Sequence, residues 1–140
     1  ASRKAMPKER GATPIEFALG ILTIVLPLAL MVLLVAPIFE ARNFVRRAAA
    51  EGARAGVVAL ADPIAAATDE VASVADGMGF ATNEVSVLFC DGNPCSFARG
   101  AVFVVEVSMP VRQVSELLPI GEIQVRARHS EQVDLYRSRP

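Results

Sequence analysis

Hydrophobic and polar positions divide the chain into three successive patterns. Residues 17–39, FALGILTIVLPLALMVLLVAPIF, carry no formal charge. As a helix rising about 1.5 Å per residue, that run would reach roughly 35 Å, enough to cross the hydrocarbon core of a bilayer. The next stretch, residues 40–61, takes on a helical period: Ala41, Phe44, Val45, Ala48, Gly52, Ala55, Gly56 and Ala59 recur on one side. Its richness in Ala and Arg predicts that the helix continues. Asp62 and Pro63 then mark a break and a restart, as N-cap and first helical residue. Ile64, Thr68, Val71, Ala75 and Met78 recur every three or four residues and predict a second amphipathic helix, stopped by Gly77 and Gly79. Its acids Asp69, Glu70 and Asp76 fall on the solvated face.

From residue 84 the period becomes two. Val85, Val87 and Phe89 alternate with Glu84, Ser86 and Leu88, which predicts a first strand. A loop over 91–100 follows, with the turn residues Gly92, Asn93 and Pro94. Residues 101–109 predict a second strand with Phe103, Val105, Val107 and Met109 on one face, ended by Pro110. In the third strand Ile123, Val125 and Ala127 point inward and Gln124, Arg126 and Arg128 outward; His129 continues the inward parity. Residues 130–140 are charged with a few apolar residues and are expected to fray unless a partner holds them. The connection 111–121 holds an apolar knob, Leu117, Leu118, Pro119 and Ile120. It reads either as a flap on the edge of the core or as a contact with membrane or partner. The expected fold is α+β: a transmembrane helix continuing into a long helix, a second helix, and a small antiparallel sheet of about three strands.

Length bounds the domain count. The 140 residues hold one membrane segment and one modest core. Residues 1–11 form a basic leader, with Arg3, Lys4, Lys8 and Arg10 against Glu9; residues 12–39 form the transmembrane helix; residues 40–140 form the α+β domain. The apolar run is longer than the core of a secretory signal and has no clean A-x-A site at its end, so a stable anchor is the preferred reading. Pro14 is tolerated at the helix start, Pro27 should bend or loosen the helix in mid-run, and Pro37 marks its exit. Beyond it, Arg42, Arg46 and Arg47 are expected at headgroup level.

The net charge of −1 conceals an asymmetry. Residues 62–125 contain Asp62, Asp69, Glu70, Asp76, Glu84, Asp91, Glu106, Glu116 and Glu122 against only Arg99 and Arg112. An acidic distal domain argues against nucleic-acid binding, which needs a basic face. Four bases precede the apolar run and four follow it (Arg42, Arg46, Arg47, Arg54), so charge leaves the orientation nearly balanced.

Cys90 and Cys95 decide it. A close pair around turn residues is read as a local disulfide, hence an oxidising compartment and a cytoplasmic N-terminus. Zinc is the competing reading, but His129 is the one histidine and a tetrahedral site would be hard to fill; a free thiol pair is the third. No metal cluster, phosphate-cradling glycine loop or nucleophile–base pattern appears, so neither a cofactor nor an enzymatic activity is expected. His129 is read as a strand-end residue rather than a catalytic one.

Two features remain for assembly. Ala48, Gly52 and Gly56 form a small-residue ridge that permits close backbone approach. Its partner is either the protein's own second helix or sheet, which a small domain needs for its core, or a neighbouring subunit. In the second case Gly52 and Gly56 are helix-assembly contacts. Glu16 stands at the entrance to the apolar run, either snorkelling to the headgroups or meeting a positive partner within the membrane.

The segment Arg10-Gly11-Ala12-Thr13-Pro14-Ile15-Glu16-Phe17, with the apolar run and FEARNFVRRAAAEGARAG after it, resembles the TadE-like proteins, minor pilins or pseudopilins of the tight-adherence (Flp) pilus system. The likeness is close over residues 9–60 and loose beyond. It implies cleavage after Gly11 by a prepilin-type peptidase, leaving Ala12 first and Glu16 fifth in the mature chain; Ala12 and Pro14 depart from the commonest type IV pilin pattern. It further implies a bacterial cell-membrane protein whose partners are lipid and other pilin-like subunits, with Glu16 as an assembly contact. The alternative is an uncleaved single-pass accessory subunit of another envelope complex. A small-ligand-binding extracytoplasmic domain is a third reading.

Overall fold

A computed structural model describes residues 14–112 and 121–135. Contacts divide the chain into two units, Ala1–Leu33 and Leu34–Pro140. The architecture is α+β, as the periodicities predict: helix α1 (Pro14–Val58), helix α2 (Pro63–Gly77) and strands β1 (Ser86–Phe89), β2 (Val102–Pro110) and β3 (Gln124–Gln132).

In the first unit, residues 14–33 are helical and every one is exposed. Pro14 occupies the first helical position, where its missing N–H would have no partner anyway. The helix runs on through Pro27 and Pro37. Upstream of Pro27, the Thr23 hydroxyl donates to the Gly20 carbonyl at 2.8 Å.

The second unit begins within the apolar run, at Leu34, because residues 34–38 are half-buried and Ile38 packs on the core. Along α1 the buried residues are Ala41, Phe44, Val45, Ala48, Ala49, Gly52, Ala53 and Gly56. Their spacing alternates threes and fours with adjacent pairs, the stripe expected of a helix that buries one face. Ala49 and Ala53 replace Ala55 and Ala59 of the expected stripe, since two neighbours must be met at once and the stripe widens to do so.

Asp62 caps α2, its Oδ1 accepting from the Ala65 N–H at 3.0 Å, with Pro63 behind it. The buried stripe of α2 is Ala67, Val71 and Ala75. Ile64 and Met78 remain about 40% exposed and Thr68 turns its hydroxyl to the Ile64 carbonyl, so the face is narrower and smaller than expected. Close approach to α1 accounts for this: Val71 sits over Gly52, where only small neighbours fit. The helix ends in a Schellman turn. Phe80 N–H donates to the Ala75 carbonyl and Gly79 N–H to the Asp76 carbonyl, with Gly79 in the left-handed region at φ 77°. The turn delivers Phe80 onto Phe44, ring centroids 4.7 Å apart.

The sheet is antiparallel in the order β1-β2-β3. Phe89 pairs with Val105, and Val105 with His129. The inner face of β2, Phe103, Val105, Val107 and Met109, is buried against the two helices. Its outer face carries Glu106, Ser108 and the exposed Val102, beside Arg126 and Arg128 of β3.

One expectation is overturned. Residues 130–132 belong to β3 rather than to a fraying tail, and Val133 is buried. Val133 N–H donates to the Ala101 carbonyl at 2.8 Å and Gly100 N–H to the Val133 carbonyl at 3.0 Å. The two-residue parity of Val125, Ala127, His129 and Glu131 carries straight on to Val133, so backbone pairing with the β2 side holds the segment down. The knob at 117–120 lies outside the described residues, as does the end of the tail from residue 136.

Candidate functional site

The most exposed apolar surface of the chain is the first part of α1. Phe17, Leu22, Ile24 and Leu33 are each more than half exposed. Residues 14–33 rise about 30 Å, the thickness of a hydrocarbon core. The segment is thus one possible membrane span by length and composition. Glu16, exposed, lies in its first turn, where the partial positive charge of a helix start favours a carboxylate. Gly11 and Ala12, the expected cleavage pair, lie outside the described residues.

The small-residue ridge is occupied by the chain itself. A Cβ on Gly52 would stand 2.8 Å from Val71 Cγ2 and 3.3 Å from the Ala67 carbonyl oxygen. One on Gly56 would enter the ring of Phe103. Both glycines are therefore packing positions between α1 and its own α2 and β2, and the assignment of Gly52 and Gly56 to contacts between subunits is corrected. A domain of this size needs that face for its core.

Cys90 and Cys95 form a disulfide across the β1–β2 connection, with Cα atoms 5.5 Å apart. Cys90, Asp91 and Gly92 all take left-handed φ angles of 50–79°. For Cys90 and Asp91 that conformation costs on the order of 1 kcal/mol each. Two links hold the turn in place: the disulfide, and Asp91 Oδ2 accepting from Arg128 Nη2 of β3 at 2.8 Å. The sequence offered no sign of this second link, which spans 37 residues. The short disulfide loop should stabilise the unit by about 2 kcal/mol through the entropy of the unfolded chain. Cys90→Ser/Cys95→Ser is expected to lose that amount in urea denaturation. A thiol reductant should reproduce the loss in the parent chain and do nothing to the variant.

Among the described residues the remaining polar groups do not converge on one site. His129 Nε2 is 3.2 Å from Glu131 Oε2, two residues along the same strand, and both are partly exposed. Glu84 pairs with Arg112 at 3.3 Å beside a shallow cleft of ≈ 230 Å³ lined by Pro37, Ala41, Phe80 and Val111. Two further clefts measure ≈ 220 and ≈ 170 Å³, the second an apolar groove between α2 and β1 with Val71 and Val87 in its wall. All three are below the roughly 300–1,000 Å³ of usual small-molecule sites. Among the described residues no group of three or more His, Cys, Asp or Glu side chains is placed to hold a metal ion.

What the second unit does bring together is a helix face rich in arginine. Arg42, Arg46 and Arg47 are exposed on α1, opposite its buried stripe and just beyond the apolar run. No family model matches this chain, and neither a curated protein nor a solved structure is found to resemble it.

Proposed function

We propose that this chain is a non-enzymatic, membrane-anchored minor pilin or pseudopilin of the TadE-like kind, acting in assembly of a tight-adherence (Flp) pilus at the bacterial cell membrane. The observation that carries this reading is α1 itself. Its residues 14–33 expose unbroken apolar surface with one carboxylate at the entrance, and its later turns form the core of an α+β unit. An exposed apolar helix with one acid in its first turn suits burial among like helices as well as lipid.

The disulfide supports an extracytoplasmic domain and a cytoplasmic N-terminus, because such bonds persist in oxidising compartments. In this scheme a prepilin-type peptidase cuts after Gly11 and frees an amine at Ala12. The Glu16 carboxylate then neutralises that amine, in the same or a neighbouring subunit, and the pair sets the axial register of the helices. Intact-mass and N-terminal analysis of protein from native membranes is expected to find chains beginning at Ala12. A leader retained on every molecule would overturn processing and leave an uncleaved accessory subunit of another envelope complex as the better reading.

A further inference from the structure

We propose that Arg42, Arg46 and Arg47 form a binding face for the phosphate groups of anionic phospholipids. The inference rests on the membrane-anchored reading above and adds a lipid specificity to it.

Charge pairing leaves four arginines over among the described residues, Arg42, Arg46, Arg47 and Arg99, of which the first three lie together on α1 just beyond the apolar run. Among the described residues, Arg54 pairs with Glu51, Arg112 with Glu84, Arg126 with Glu106 and Arg128 with Asp91. Arg42, Arg46 and Arg47 are exposed and none stands within ion-pair distance of a described acid. Arg42 and Arg46 are also four apart on one helix, a like-charge arrangement that opposes the helix unless an anion from outside lies between them. Three acids lie nearby, of which Glu51, one turn beyond Arg47, pairs instead with Arg54 at 3.7 Å. Glu40 is two residues before Arg42, so it projects to nearly the opposite side of the helix. It shares Arg47's side two turns earlier, while Glu70 lines a shallow cleft with Arg47. None of the three is within ion-pair distance of Arg42 or Arg46.

Position supplies the occupant. The apolar run ends at Phe39, which is exposed. Arg42 follows about 4.5 Å further along the helix and Arg47 about 12 Å. The headgroup layer is roughly 5–8 Å deep on each side. Side chains on a helix tilt toward its N-terminus, here the side of the apolar run. That tilt favours the headgroup side for Arg42 and Arg46, their stems along the helix; Arg47 also borders the cleft beside Glu70. A guanidinium fork matches two phosphate oxygens at once, which an ammonium does not. The fitting partner is a phosphodiester lipid with net negative charge.

The test places the full chain in phosphatidylcholine vesicles containing trace spin-labelled phosphatidylcholine or spin-labelled phosphatidylglycerol. The readout is the motionally restricted fraction of each label. The labelled phosphatidylglycerol is expected to associate preferentially, by about fivefold for each engaged arginine, and the preference should shrink as salt rises. It should vanish in Arg42→Gln/Arg46→Gln/Arg47→Gln, persist in part in the triple Lys variant, and be unchanged in Arg126→Gln/Arg128→Gln on the sheet. Equal association of both labels with the parent chain, or a preference untouched by salt, overturns the inference without any variant having to fold. A chain that fails to float with pure phosphatidylcholine vesicles overturns the membrane anchor itself, a separate result that needs no anionic lipid.

Discussion

Phe103→Ala is expected to cost about 3–5 kcal/mol, the range for deleting a buried aromatic ring. Phe103 is fully buried on β2 and is the meeting point of three elements. Its ring stacks on Phe89 of β1 at 5.8 Å and tilts against Phe97 of the β1–β2 connection at 5.0 Å. Its far side fills the space left by Gly56 of α1. Small domains are stable by only about 5–15 kcal/mol in all, so the variant should unfold at a much lower urea concentration, read by circular dichroism in micelles. The Gly56 side supplies the sharper test. Gly→Ala in a helix ordinarily gains up to about 1 kcal/mol. Here the new methyl meets a ring pinned by two others, and overpacking costs about 1–3 kcal/mol. Gly56→Ala should therefore destabilise the parent chain and do so much less when Phe103 is Leu, a coupling within the roughly 0.5–3 kcal/mol known for residues in contact. A stabilising Gly56→Ala in the parent would mean that the ring does not occupy that space.

Glu16→Leu is expected to leave membrane insertion intact and to reduce incorporation into the assembled machine by about a hundredfold. Insertion survives because the change only lengthens the apolar run. Under the proposed scheme assembly fails because the substitution strands the amine at Ala12 among apolar helices, where an unpaired buried charge costs about 3 kcal/mol or more. The check is fractionation: membrane-bound protein should match the parent while the share in sheared filaments or in isolated assembly complexes collapses. Parent-like incorporation of Glu16→Leu would sink the charge-pair mechanism, whatever the state of the leader.

How much of this was legible in the residues differs from element to element. The helix cap at Asp62, the inner face of β2 and the first part of α1 follow from patterns only a few residues long. A missing N–H partner, a two-residue alternation and an uncharged run are local facts. The limits of β3 were missed for the opposite reason. Residues 130–132 read as a charged tail, yet backbone bonds to Gly100 and Ala101 hold the segment through Val133. Backbone pairing is blind to side-chain polarity, and at an exposed edge polar residues are expected. The inward parity through Glu131 to Val133 was the available signal.

The candidate site divides in the same way. Glu16, the apolar run and the arginines after it are visible as sequence because each is a contiguous departure in charge. The sequence also established that Gly52 and Gly56 need a close neighbour, since small residues four apart on a helix admit one. Only the tertiary structure decided whose neighbour it is. Val71, fifteen residues past Gly56, and Phe103, on a strand beyond the disulfide loop, close on those two glycines from the same chain. The sequence likewise showed many bases and acids; only the fold revealed which of them neutralise each other, because ion pairs such as Arg128–Asp91 depend on strands brought together from distant positions. Composition and period are properties of neighbours along the chain, whereas pairing, register and the identity of a packing partner arise only when distant segments meet.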